Sequence, residues 1–315
     1  MRHNIFPPDW DEKRVQKVID HYEQQLEDEA VAEDEATFEN SSQTVIQIPK
    51  ELIPLVDKPL IHYTVLEAIS SGIKEIVFVT RPQQKDVFQY FQSDPELEKL
   101  LREQNKNNEL ETLKEIQEFS KNVSFSFVIQ KEPKGDADAI FQANSFIGQE
   151  SCGVFFCDDV IDAQPPGFLQ LAEVFETCQR PVMALKRLPS EKLSHYGVVE
   201  VEKIANRFYK IKGMVEKPEP KKAPSDLAII GRLILTPDVF DYLKTEKMNK
   251  KQELTITKIL GKMAREGQAI YGYEIKGEWV ECGDKLRWFY SFLHFAIKHP
   301  QLGPQVKRYL KKLKI

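Results

Sequence analysis

The sequence predicts an α/β fold, and three observations carry that expectation. From about residue 44 onward, short β-branched and aromatic runs alternate with helical stretches, the signature of a parallel sheet covered by helices. The chain has 315 residues, of which 41% are hydrophobic, enough to bury one large core or two smaller ones. No run approaches the roughly 18 to 20 apolar residues of a membrane span, and residues 1–10 lack the apolar core of an export signal. A soluble, cytoplasmic protein is expected. Its four cysteines, Cys152, Cys157, Cys178 and Cys282, match no zinc spacing and are expected to be reduced thiols.

The elements follow in chain order. Pro7-Pro8-Asp9 with Glu12 reads as a helix start closed by a capping box. Val15, Val18, Ile19, Tyr22 and Leu26 then form one apolar stripe, which docks on the body of the protein or on a partner. Seven acids between Glu27 and Glu39 have the wrong sign for a helix C-terminus, so the helix frays and residues 40–43 form a linker. Strands are predicted at 75–80, 124–130, 153–157, 181–185, 227–235 and 269–275, with 209–215 strand-like. Helices are predicted at 60–71, 83–91, 95–105, 138–146, 167–178, 238–244, 255–266 and 285–298. Three parts result: an acidic helical extension and linker over 1–43, the α/β body over 44–300, and a basic tail over 301–315.

Charge is uneven along this plan. Residues 1–40 hold 12 acids and 4 bases, a net of −8, so the rest of the chain sums to +3 within an overall −5. Lys307, Arg308, Lys311, Lys312 and Lys314 crowd the last nine residues. Such a cluster suits nucleic acid or anionic lipid. A solvated helix end explains it as well, because cations favour the C-terminal dipole, and neither a nucleic-acid nor a membrane partner is expected.

In doubly wound sheets, ligands bind beyond the carboxyl ends of strands, so polar residues just after apolar runs are the first candidates. Asp158 and Asp159 end the run Gly153-Val-Phe-Phe-Cys157. Paired carboxylates there suit Mg²⁺ on a phosphate oxygen, and they also suit a turn or helix cap. Glu216-Lys217-Pro218 sets a carboxylate for sugar hydroxyls beside an ammonium for phosphate, although Glu-Lys is also a common surface pair. Gly197 after Tyr196, Gly231-Arg232 and Gly283-Asp284-Lys285 each let a backbone approach a ligand, or simply turn. No Ser/His/Asp, Cys/His or metal-binding His arrangement is visible among the six histidines.

Seven blocks occur in a telling order: Pro49-Lys-Glu-Leu-Ile-Pro-Leu-Val-Asp-Lys-Pro59, Gln130-Lys-Glu-Pro133 with Gly135, Asp158-Asp159-Val160, His195-Tyr-Gly-Val-Val199, Val215-Glu-Lys-Pro218, Ser225-Asp-Leu-Ala-Ile-Ile-Gly-Arg232 and Cys282-Gly-Asp-Lys285. In sequence and spacing they resemble the bacterial UTP-glucose-1-phosphate uridylyltransferases, nucleotidyltransferases with a Rossmann-like sheet. The resemblance spans about residues 49–300. It implies that a phosphate oxygen of glucose 1-phosphate attacks the α-phosphorus of UTP in line, with Mg²⁺ bridging the reactants and pyrophosphate leaving. UTP, glucose 1-phosphate and UDP-glucose are the implied partners and Mg²⁺ the implied cofactor. Position by position it implies Lys50 at the phosphates, Gln130 and Gly135 at the uracil, Asp159 on the metal, Gly197 and Glu216 at the glucose, and Lys217 at its phosphate. Lys50 and Lys217 are the catalytic candidates, Asp158 and Arg232 join the substrate-binding set, and Glu281 joins Asp159 as a metal ligand. Family members are often dimers or tetramers, so a homo-oligomer or a paralogous partner is also implied, with 285–298 as an apolar candidate interface.

The chain departs from that family most at the nucleotide side. The family opens with a strand and a loop of the type Gly-x-Gly-Thr-Arg, whereas residues 1–47 contain no glycine and cannot build a phosphate cradle of that kind. The acidic leader also repels a triphosphate. Gly-Leu-Gly-His-Ala becomes Gly135-Asp-Ala-Asp-Ala139, Cys157 replaces a Gly, Asp226 an Asn and Glu281 an Asp, and Gln252-Glu-Leu-Thr-Ile-Thr-Lys258 loses a Gln and an Asp. Strand one is central in the family, so its loss exposes the edges of its neighbours, with 44–48 expected to fill part of the gap and the helix from Asp9 to Leu26 to cover it. Two readings follow: an impaired uridylyltransferase, or a catalytically silent relative that binds UDP-glucose, a sugar phosphate or a paralogue.

Overall fold

A computed structural model describes residues 49–82, 84–246 and 254–313. The predicted leader helix, its acidic end, the linker and the 44–48 segment expected to fill part of the gap lie outside the described residues. The chain enters through a single 3₁₀ turn, Lys50–Leu52, and a short hairpin of β1 (Pro54–Leu55) and β2 (Lys58–Pro59). Val56 in its turn has φ 69°, a left-handed conformation that a β-branched residue adopts only under strain. Helix α1 (Leu60–Ser70) starts after Pro59, buries Leu60, Ile61, Val65 and Ala68 on one face, and stops before Gly72, whose φ of 88° only glycine accepts easily.

Strand β3 (Glu75–Thr80) runs parallel to β4 (Ser124–Ile129), register Glu75 to Ser124. Parallel pairing requires a crossover, supplied by α2 (Lys85–Gln89), α3 (Pro95–Glu103) and α4 (Asn107–Asn122). Asp94 caps α3 through the Leu97 N–H, with Pro95 at the first helical position. After α5 (Asp136–Gln142) and α6 (Asn144–Ile147) come β5 (Cys152–Phe155), β6 (Asp159–Asp162), α7 (Gly167–Cys178), β7 (Val182–Arg187), β8 (Gly197–Ala205), β9 (Phe208–Glu216) and β10 (Leu227–Leu235). Helices α8 (Pro237–Thr245) and α9 (Ile256–Arg265), strands β11 (Tyr271–Glu274) and β12 (Glu278–Glu281), and helices α10 (Lys285–Lys298) and α11 (Gly303–Lys312) complete the described chain.

The main sheet has the order β5-β10-β7-β11-β9-β8. It is mixed, which corrects the expectation of a parallel sheet: only β7–β11 is parallel in it, and all other neighbours are antiparallel. The reason is local. Asn206 and Arg207, the latter at φ 62°, connect β8 to β9 directly, and so short a link permits only a hairpin. Strand β10 is buried along nearly its whole length, as an uninterrupted apolar run suggests. Its Leu233 and Leu235 pack with Met183, Ile259 and Met263, while Ile230 and Ile234 pack with Phe168 and Leu171 on the other face. Among the described residues β3 pairs with β4 alone and β5 with β10 alone.

Residues 303–312 of the basic tail form a helix that packs on α10, with Gly303 against the Ile297 carbonyl, where a Cβ would collide. On α10 itself, Leu286, Phe289 and Tyr290 face solvent. All four cysteines are free thiols, and burial pushes the Cys282 thiol up to about 11. No helix among the described residues is long and apolar enough to cross a membrane.

His62, on α1, is fully buried between Tyr90, whose hydroxyl lies 3.0 Å from Nδ1, and Phe119. Its Nε2 has no hydrogen-bond partner and lies 3.9 Å from Glu115 Oε1. Burial first, then the Lys58 ammonium, lower its pKa from 6.5 to about 4, against a smaller opposing pull from Glu115 and Asp57. The folded state therefore binds the proton less well than the unfolded chain. The stability held by neutral His62 is complete above about pH 6.5 and is lost as pH falls toward 4. Between pH 7 and pH 5 this amounts to about 2 kcal/mol. Urea unfolding at both pH values is expected to show a steeper loss for the native chain than for His62→Phe. Equal losses would show that His62 is not the group responsible.

Candidate functional site

The site starts from two carboxylates that the fold forces together. Strands β6 and β12 pair with Asp159 directly opposite Glu281. Like charges in that position repel, so such a pair persists only if donors satisfy both. Asp159 Oδ2 accepts the Gly231 N–H at 2.7 Å and Oδ1 accepts the Trp279 indole N–H at 2.6 Å. Both Glu281 oxygens accept from Arg287 Nη1, at 2.8 and 2.7 Å, and Oε2 also accepts from the Tyr196 hydroxyl at 2.7 Å. Beside them, Asp158 Oδ2 is 3.0 Å from Lys50 Nζ. Burial foremost, then the Asp158 charge, push the Asp159 carboxyl up to about 7; Arg232 and the indole hydrogen bond oppose this, and Glu281 adds to it. Gly231 is required here, because a Cβ at that position would collide with Asp159 Oδ2 and lie 2.6 Å from Phe156 Cβ.

A second group meets the first through Tyr196. Gly197 opens β8 directly opposite Glu216 at the end of β9, and a Cβ on Gly197 would lie 3.3 Å from Glu216 Oε2. Lys217 follows at φ 44°, a left-handed conformation that costs a non-glycine residue about 1–3 kcal/mol, and its N–H donates to the Tyr196 carbonyl at 3.1 Å. Strain of this size is held only where the surrounding structure over-determines the backbone. The Tyr196 ring stands edge-on to Trp279 at 4.9 Å, and Arg287 lies 5.4 Å from its centroid. Burial, then the hydrogen bond to Glu281, raise the Tyr196 phenol, so it stays a donor. Lys50, Asp158, Asp159, Glu281, Gly197, Glu216 and Lys217 are thus linked in one chain of contacts through Tyr196.

Gln130 and Gly135 form a separate group. The nearly buried Gln130 amide donates to Asp138 Oδ2 at 2.6 Å and points to the Gly135 carbonyl at 3.4 Å. Gly135, at φ 98°, starts α5, and Asp136 Oδ1 accepts the Ile256 N–H of α9. Arg232 corrects the sequence reading. It is 0% exposed, and its guanidinium is consumed by Glu67, Phe156 and the Gly231 carbonyl, so it braces the site from behind and offers nothing to a substrate. Sequence reasoning also missed Trp279 and Arg287 as parts of the site. The signal for Arg287 lay in Asp284, which caps α10 by accepting the Arg287 N–H at 2.8 Å and thereby aims that residue back at Glu281. A cavity of about 550 Å³ between Phe88, Phe91, Val123 and Phe125 lies at the far end of β4 from Gln130; no charged side chain lines it, which makes it unsuited to a phosphate.

The fold has counterparts in known proteins. The profile of the family described as Nucleotidyl transferase matches residues 45–289. A UTP–glucose-1-phosphate uridylyltransferase of Bacillus subtilis (strain 168) is 34% identical over 266 residues, 84% of this chain and 90% of that relative. A solved UDP-glucose pyrophosphorylase complexed with UDP-glucose superposes with a TM-score of 0.71 at 35% identity, over 80% of this chain and 92% of that one. A UTP-bound enzyme of the same type from Acinetobacter baumannii gives 0.76 at 29% identity, over 84% and 92%. With a profile match over most of its length and a relative of that identity and coverage, the chain belongs to the nucleotidyl transferase family, alongside the bacterial UTP–glucose-1-phosphate uridylyltransferases.

Proposed function

We propose that this chain holds UDP-glucose or its sugar-phosphate half at the Gly197–Glu216–Lys217 group, and that it transfers uridylyl groups poorly. The observation that carries the reading is the pairing of Gly197 with Glu216, with strained Lys217 next in the chain. Gly197 lets the Glu216 carboxylate lie close against the backbone, in position to accept hydrogen bonds from sugar hydroxyls, and the two lysines supply positive charge for phosphates. In the forward direction a phosphate oxygen of glucose 1-phosphate attacks the α-phosphorus of UTP. The α–β bridging P–O bond breaks, and pyrophosphate leaves with the electron pair. Such a step needs positioning and charge neutralisation rather than a covalent intermediate. Lys50 and Lys217 would serve as the charge donors.

Two features speak for weak turnover: residues 1–47 hold no glycine for a phosphate loop, and the Gln130 amide is engaged by Asp138. Calorimetry with UDP-glucose tests the binding half of the reading. Binding is expected, weakened about 10- to 100-fold by Glu216→Ala or Lys217→Ala, the range for losing a charge-assisted hydrogen bond. Absence of any heat of binding by the native chain would overturn it.

A further inference from the structure

We infer that this chain neutralises its acidic group with its own cations, Lys50 and Arg287, and takes no divalent metal there. The ligand set offered to Mg²⁺ would be Asp158, Asp159 and Glu281. A magnesium ion demands nearly octahedral oxygen ligands, commonly one or two carboxylates with waters and phosphates completing the shell. Each of these carboxylates is already engaged. Asp158 pairs with Lys50, Asp159 accepts from Gly231 and Trp279 on its two oxygens, and Glu281 accepts from Arg287 on both oxygens and from Tyr196.

The placement of Arg287 is built into the backbone. The Asp284 carboxylate caps α10 through the Arg287 N–H and pairs with its Nε at 3.0 Å, so the guanidinium is anchored from the solvent side while Nη1 reaches Glu281. Gly283 lets Glu281 lie close against the backbone, since a Cβ there would collide with Glu281 Oε1 and lie 3.9 Å from Asp158 Oδ2. A hydrated dication at this position would have to displace or repel a guanidinium and an ammonium that already satisfy the carboxylates. A nucleotide bound here would therefore meet these two cations rather than a resident ion.

The inference shares its site with the proposed function, but its test uses the metal alone, so failure of nucleotide binding and failure of this inference are separately visible. The full chain, treated with EDTA and dialysed, is titrated with Mn²⁺ while free Mn²⁺ is followed by electron paramagnetic resonance. The native chain is expected to leave the signal as in buffer, with no site tighter than about 1 mM. Arg287→Ala, or Arg287→Gln if the first fails to fold, is expected to gain Mn²⁺ affinity by about tenfold or more, and a further Asp159→Asn change is expected to remove the gain. One Mn²⁺ per native chain, lost in Asp159→Asn, would overturn the inference. So would folded Arg287 and Lys50→Met variants that bind Mn²⁺ no better than the native chain.

Discussion

Glu67→Ala is expected to lower the unfolding free energy by about 3–5 kcal/mol, the cost of stranding a buried charge. Arg232 lies inside the protein with Nε 3.0 Å and Nη2 2.8 Å from Glu67 Oε2, while Nη1 donates to the Phe156 and Gly231 carbonyls. The other Glu67 oxygen accepts the Phe168 N–H at 2.9 Å, near the start of α7. One ion pair thus joins α1, β10, the turn after β5 and α7. Removing the carboxylate leaves the guanidinium without its ion-pair partner and a buried N–H with no acceptor. Because a domain's whole stability is about 5–15 kcal/mol, the variant should sit close to unfolding. Replacing both partners with methionine should cost much less, since an apolar pair of similar volume needs no desolvated charge. Urea unfolding of the two variants measures the difference; a loss below about 1 kcal/mol for Glu67→Ala would show that water reaches Arg232. The variant should also disturb the acidic group, because Gly231, whose N–H holds Asp159, adjoins Arg232 in β10.

Pyrophosphate release from UTP and glucose 1-phosphate is expected to run at least about 100- to 1000-fold below that of the Bacillus subtilis relative assayed in parallel. That range is the typical effect of losing a single preorganised donor to the transition state, and the proposed reading has several lost together. Residues 1–47 offer no glycine for the backbone conformations that cradle phosphates, and they carry an acidic excess. Asp138 holds the Gln130 amide, the group the resemblance assigns to the base. Turnover within about tenfold of the relative, abolished by Asp159→Ala, would reject the impairment. UDP-glucose binding without turnover would favour the silent relative over the impaired enzyme.

Much of the fold was legible one residue at a time. The bounds of α7 and α10 follow from their apolar periodicity, and β3 and β10 from continuous β-branched and aliphatic runs. Strand β8 was not, because Glu200, Glu202 and Lys203 face water and break the apolar run, and only the pairing with β9 makes it a strand. Helix α4 escaped for a similar reason: its buried Leu110, Ile116 and Phe119 are scattered among charges. In the site, Gly197, Glu216 and Lys217 were readable as short motifs, since each block carries its own chemistry.

By itself the sequence determined the α/β class, the order of most elements and the blocks that mark the family. Tertiary structure alone decided the mixed pairing of the sheet, the burial of Arg232 and the closing of Asp159 and Glu281 by Trp279, Tyr196 and Arg287. Periodicity and capping are settled between residues a few positions apart. The partner of a buried charge is a matter of packing: Glu67 and Arg232 stand 165 positions apart, and nothing in either neighbourhood marks them as a pair.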